Sequence, residues 1–74
     1  MNFKFYLGDV IEHPTFGKGE VVEVTYRTTD IDGTNIPLVY VEFENPVRKD
    51  KSGKDVYKIL FTENSLDEVL SKNK

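Results

Sequence analysis

His13 is the single histidine of the chain, and its ordinary titration range makes it the first residue to weigh for acid–base chemistry. Catalysis by one histidine needs an oriented partner and a pocket that excludes water, which a domain this small seldom builds. The favoured reading is structural: a histidine at a strand end, hydrogen-bonded to the turn that follows. Phe16-Gly17-Lys18-Gly19 has the look of a phosphate loop. A Walker loop, however, places its lysine after the second glycine and runs into a helix, whereas here Lys18 lies between the glycines and a strand follows. Asp30-Ile31-Asp32-Gly33-Thr34-Asn35 has some features of a calcium loop. Counted from Asp30, the glycine stands fourth rather than sixth and the twelfth residue is Val41 rather than a glutamate, so a solvated hairpin turn is expected.

One basic cluster remains, Arg48, Lys49, Lys51 and Lys54, interrupted by Asp50 and Asp55. A basic loop beside exposed aromatic faces can grip a nucleic-acid backbone and stack bases. Tyr40, Tyr57 and Tyr26 are the available rings. They would equally suit an aromatic cage for a methylated lysine, though nothing in their spacing singles that out. A merely solvated loop is the plainer reading of the cluster. No carboxylate set has ligand spacing and there is no cysteine, so neither a metal, a cofactor nor catalytic turnover is expected.

The elements that must position these residues are short strands. Residues 6–13 read as the first, with Gly8-Asp9 as a turn or bulge at its start, and Pro14 ends it because proline cannot donate to a ladder. Residues 15–19 read as a tight turn whose glycines supply positive φ. Residues 20–27 are β-branched and aromatic, hence a strand, and residues 28–36 form a polar loop around Asp32-Gly33, a hairpin signal. In residues 37–44, Val39, Val41 and Phe43 alternate with Tyr40, Glu42 and Glu44, so one face is buried and the other wet. Residues 45–54 read as a charged, flexible loop, and residues 55–62 as the last strand. Asn64 or Ser65 would cap a short helix with Asp67 and Glu68 in its first turn. Leu66, Val69 and Leu70 would form its apolar stripe. Residues 71–74 read as a frayed tail. The expected core is Ile11, Val21, Val24, Val39, Val41, Phe43, Leu60 and Leu66.

Seventy-four residues make one domain, and a chain of this size buries only about 60% of its unfolded surface. Without cysteines, apolar packing and sheet hydrogen bonds must hold it together. No segment reads as a signal peptide or a bilayer span, which leads to the expectation of a soluble, cytoplasmic domain. The net charge of −3 speaks against a generally basic nucleic-acid binder. The fold expected is all-β: a small antiparallel barrel of four to five strands, of the SH3-like or Tudor-like class, with a short C-terminal helical turn.

Gly8-Asp9-x-Ile11-x-His13-x-x-Phe16-Gly17-x-Gly19-x-Val21-x-x-Val24 resembles the opening motif of the Tudor-like domain at the C-terminus of UvrD/PcrA-type bacterial DNA helicases. Val41-x-Phe43 is similar to that family's third strand, Lys58-x-Leu60 to its last, and Leu66 to its closing turn. The resemblance implies a docking module directed at the transcription or DNA-repair machinery, notably RNA polymerase, with nucleic-acid contact secondary. It makes Gly8, Asp9, His13, Phe16, Gly17 and Gly19 an architectural motif and places Lys58 on the docking side. As the resemblance covers the module without its helicase, the expected activity is binding alone, as a bacterial or phage copy would use it. Tyr57 and Lys58 on an edge strand are the expected protein-binding residues. Arg48, Lys49, Lys51, Lys54 and Tyr40 are the expected contacts for nucleic acid, should that be the ligand.

Overall fold

A computed structural model describes residues 4–28 and 31–72. The elements in chain order are β1 (Val10–His13), β2 (Gly17–Thr28), β3 (Asn35–Phe43), β4 (Arg48–Lys49), β5 (Asp55–Val56), β6 (Lys58–Thr62) and α1 (Glu63–Lys72). They form a four-stranded antiparallel sheet in the order β1-β2-β3-β6 and a two-stranded one, β4-β5. In this pairing β1 and β6 stand at the two edges.

The alternation of β3 decides which face is which. Val39, Val41 and Phe43 are buried while Glu42 is exposed. Their partners across the sheet continue the inner face: Gly19 opposite Phe43, Val21 opposite Val41 and, beyond it, Ile59, then Val24, Val39 and Phe61. Val21 and Val24 are three residues apart, which a regular strand would put on opposite faces. A bulge reconciles them, because the register moves from Val21–Val41 to Glu23–Tyr40 and inserts one extra residue in β2. The bulge also bends the strand, which lets twelve residues of β2 pair with β1 near one end and β3 along their length. Leu66 of α1 is fully buried against this inner face, together with Phe5 and Ile11. Each such side chain contributes roughly 1.5–3 kcal/mol by leaving water.

Several boundaries differ from the sequence expectation. The first strand begins at Val10, because Tyr6 to Asp9 close a turn in which the Asp9 N–H donates to the Tyr6 carbonyl at 3.1 Å and the Tyr6 N–H to Asp9 Oδ2 at 2.9 Å. The glycine turn is shorter than expected, with β2 starting at Gly17. Of the two glycines only Gly17 has positive φ, 84°. Gly19 is needed for space instead: a Cβ there would lie 2.7 Å from the Phe43 ring and 2.8 Å from Val41 Cγ1.

The expected flexible loop at residues 45–54 contains the β4–β5 ribbon. Asp50 organises its turn, with Oδ1 accepting from the Ser52 N–H, the Ser52 hydroxyl and the Lys54 N–H at 2.9, 2.7 and 3.0 Å. These bonds hold the Asp50 carboxyl below its ordinary range. The single last strand expected over residues 55–62 is divided at Tyr57 into β5 and β6. Leu60, expected inside, points outward and is 44% exposed. The run Ile59-Leu60-Phe61 gives no alternation by itself, and the register with β3 sends Ile59 and Phe61 inward.

Helix α1 starts earlier than expected. Thr62 is its cap, accepting from the Ser65 N–H at 3.3 Å and donating its hydroxyl to Ser65 Oγ at 2.8 Å. The acid in the first turn is therefore Glu63, not Asp67 or Glu68; Glu68 instead pairs with Lys72 one turn on, at 3.5 Å. Ser71 and Lys72 belong to the helix rather than to a tail, and residues 73–74 lie outside the described residues. So does Asp30 of the calcium-like stretch. At the neighbouring turn Gly33 has φ 70° and Asp32 Oδ1 accepts from the Thr34 N–H, the local chemistry of a hairpin connection.

Candidate docking face

Three regions carry the residues singled out from the sequence. The first is the turn after β1. His13 Nδ1 accepts from the Thr15 N–H at 3.0 Å and the Phe16 N–H at 3.3 Å, so that nitrogen carries no proton and the imidazole is held neutral. The ring packs among Phe16, Phe43 and Phe61 at centroid distances of 4.7, 5.9 and 5.6 Å. Burial pushes its pKa below the ordinary 6.5. The imidazole is thus employed as a turn cap and an aromatic core piece, with Gly8, Asp9, Gly17 and Gly19 shaping the backbone around it.

The second region is the β4–β5 ribbon. Arg48, Lys49, Lys51 and Lys54 are all exposed. Arg48 and Lys49 are consecutive in a strand and so project to opposite faces, and Lys49 Nζ is 3.7 Å from Asp55. A shallow groove of about 210 Å³ runs by Pro46, Val47, Arg48, Lys49 and Asp55. Tyr40 does not belong to this ribbon. It lies on the four-stranded sheet opposite Glu23 and Leu60, and its ring takes Lys58 Nζ at 5.4 Å from the centroid. The residues expected to form one nucleic-acid surface are therefore divided between two sheets.

The third region is the outer face of the four-stranded sheet together with the β6 edge. Register assembles it in rows. One row runs Val10, Glu20, Glu42, Lys58; the next runs from the Val22–Glu23 bulge to Tyr40 and Leu60; a third holds Thr25, Leu38 and Thr62. Val10, Val22 and Leu60 are exposed apolar side chains here, and Tyr57, 40% exposed, precedes Lys58 at the point where β5 gives way to β6. Glu20 and Glu42 are directly opposite one another, a like-charge arrangement that destabilises a sheet. A groove of about 190 Å³ is lined by Val10, Glu20, Glu42, Phe43 and Glu44 with Lys18 and Gly19. Both grooves are below the roughly 300–1,000 Å³ of small-molecule sites.

Sequence reasoning missed three residues that tie the helix to the segment before β1, Lys4, Phe5 and Glu63. Glu63 is buried, 5% exposed, and its Oε2 accepts the Lys4 N–H at 2.7 Å. Lys4 Nζ meets Asp67 at 3.1 Å, and Phe5 enters the core beside them. Apolar Phe5 ahead of the first strand was the available signal.

Among the described residues no group of three or more histidines or carboxylates stands together as a metal site, and no helix is long and apolar enough to cross a membrane. No family model, curated protein or solved structure matches the chain.

Proposed function

We propose that this chain is a non-catalytic protein-docking module, a small SH3/Tudor-like barrel that presents β6 as its recognition strand. The observation that carries the reading is the position of β6: it is an edge of the paired sheet, with Lys58 and Leu60 turned outward beside Tyr40. An edge strand can extend its ladder with a partner's strand, while the side chains next to it select the partner. Tyr57 adds a rigid amphipathic surface of the kind that dominates interface energetics. The engagement of His13 Nδ1 by its own turn favours binding over catalysis. The likeness of Lys58-x-Leu60 to the helicase modules makes RNA polymerase the first partner to test.

The test is capture by the tagged chain from its native cell, with and without nuclease. Nuclease-resistant capture is expected, lost with Lys58→Glu while the fold persists, since a change at an exposed charge shifts stability by about 0.5 kcal/mol or less. Capture that survives Lys58→Glu but disappears with nuclease, or on neutralising Lys49 and Lys51, would overturn the reading in favour of nucleic acid on the β4–β5 ribbon.

A further inference from the structure

The β6 edge does not account for the broad outer face next to it. This face has two halves. Toward the connecting turn of the β2–β3 hairpin lies an apolar band, Val22, Tyr40 and Leu60 in one row, then Leu38 and Ile36 in the following ones. Toward the other end lie Glu20 and Glu42, with Glu23 at the border. Among the described residues none of these three carboxylates has an ion pair. The inner face, by contrast, is covered by α1 through Leu66.

The dimensions and charge of the outer face select an occupant. From β2 to β6 the apolar band crosses two strand spacings, about 10 Å, which is the width of one α-helix with its side chains, about 10–12 Å. The groove beside it, about 190 Å³ between Val10, Glu20, Glu42 and Phe43, is of a size for a single side chain. Lys18 also lines the groove but is paired with Glu44 at 3.9 Å, so Val10 and the carboxylates of Glu20 and Glu42 are left to suit a lysine or arginine, whose aliphatic stem lies on Val10 while its charge meets the acids. A second copy of the same face would set glutamates against glutamates, which disfavours self-pairing.

We propose that the outer face docks a basic amphipathic helix of a protein partner. Its apolar residues lie on Val22, Leu38, Tyr40 and Leu60, and a lysine or arginine enters the groove between Glu20 and Glu42. This takes from the docking reading only that the four-stranded sheet is an interface, and it names a contact other than strand pairing at β6.

The probe is a synthetic peptide of about 18 residues with leucine and lysine at helical spacing, titrated into the full chain and followed by amide chemical shifts. A peptide with glutamate in place of lysine, and a scrambled leucine–lysine peptide that cannot form one apolar face, are the controls. Saturable binding of the first peptide is expected, with shifts centred on Val22, Tyr40, Glu42 and Leu60. Glu42→Lys is expected to weaken it about tenfold, because attraction becomes repulsion at the groove. Glu68→Lys, the same change in net charge placed on α1, is expected to leave the affinity within about twofold. Lys58→Glu removes a repelling cation and is expected to tighten the peptide, although it is expected to abolish capture through β6. Equal weakening by Glu42→Lys and Glu68→Lys, equal binding of the scrambled peptide, or shifts centred on residues 45–56 would overturn the proposal. So would self-association removed by Leu60→Ser. Because Lys58→Glu is expected to move the two readouts in opposite directions, failure of the helix proposal leaves the β6 reading intact, and the reverse.

Discussion

The two faces of the same sheet show how differently one set of strands can be used. On the inner face Val21, Val41 and Val39 are fully buried beside Phe43 and Leu66, and packing fixes these positions. On the outer face, one residue along each strand, Glu20 stands against Glu42 and Leu60 stands in water. Glu42 is matched to Lys58 on its other side but not to Glu20, and a threonine or lysine in place of Glu20 would serve the sheet better. The inner face therefore explains why the chain folds, while the residues that work against the fold lie on the outer one. Binding surfaces are where such local disagreement with folding is expected.

Mutations can break this contrast, beginning with the largest effect. Leu66→Ala opens a cavity where the helix meets the inner face and should destabilise the protein by about 2–5 kcal/mol, read by urea unfolding. In a 74-residue chain that is a large part of the total, since whole domains have only about 5–15 kcal/mol. A loss below about 1 kcal/mol would mean that α1 does not close the core.

Gly19→Ala should come next. The added methyl would sit under 3 Å from the Phe43 ring and from Val41, and overpacking of this kind costs about 1–3 kcal/mol. The stiffer unfolded chain returns about 0.4–1 kcal/mol, so a net loss is expected. Gly19→Ala combined with Phe43→Leu should recover part of it. If the glycine served only turn flexibility, the second change would make matters worse.

The His13 turn gives a pH test. His13→Ala leaves the Thr15 and Phe16 N–H groups without their acceptor and removes a ring from the Phe16–Phe43–Phe61 cluster, a loss of about 1–3 kcal/mol. Because the folded pKa lies below the unfolded value of 6.5, the unfolded chain binds the proton more readily. Stability from this group is therefore fully present above pH 6.5 and falls as the pH drops below 6.5 through the folded pKa. Thermal unfolding of the wild type should show that decline in the weakly acidic range and His13→Ala should lack it. The exposed Asp50 carboxyl acts in a separate window, since its pKa is lowered from 3.8. Its contribution is present above pH 3.8 and is lost only below it.

How much of this was legible beforehand depends on what each element needs. The inner face of β3 could be read directly, because Val39, Val41 and Phe43 alternate with polar residues. The turn at His13 could be read too, because Pro14 and Gly17 act locally. Leu60 could not, since three successive apolar residues have no period and only the ladder with β3 assigns their faces. The helix start was ambiguous for a related reason: Thr62, Asn64 and Ser65 are all good caps, and the end of β6 at Thr62 decides among them. The bulge that unites Val21 with Val24 and the burial of Glu63 under Lys4 are long-range pairings, which no short window of sequence contains. The outer face was visible only as scattered glutamates until register set Glu20 beside Glu42.

Leu60→Ser sharpens the comparison at smaller amplitude. A leucine that is 44% exposed gives up little packing, so stability should change by no more than about 0.5 kcal/mol, against several for Leu66→Ala in the same protein. Comparable losses at the two leucines would show that the outer band is core surface rather than interface.

The smallest effect has the opposite sign. Glu20 and Glu42 repel across β2 and β3, and directly opposed like charges cost a sheet roughly 0.2–1 kcal/mol. Glu20→Gln removes the repulsion while keeping the size and the outward direction of the side chain, and Glu20 has only Val10 on its other side where Glu42 has Lys58, so the protein should become slightly more stable, by about a few tenths of a kcal/mol. Salt offers an internal control, because screening acts on exposed charges at these separations. The gain should be largest at low ionic strength and should shrink toward zero near 1 M salt. A gain independent of salt would point to propensity rather than charge, and a loss would mean that Glu20 holds a partner within the fold. In either case the outer face would no longer be one that gives up stability for an interface.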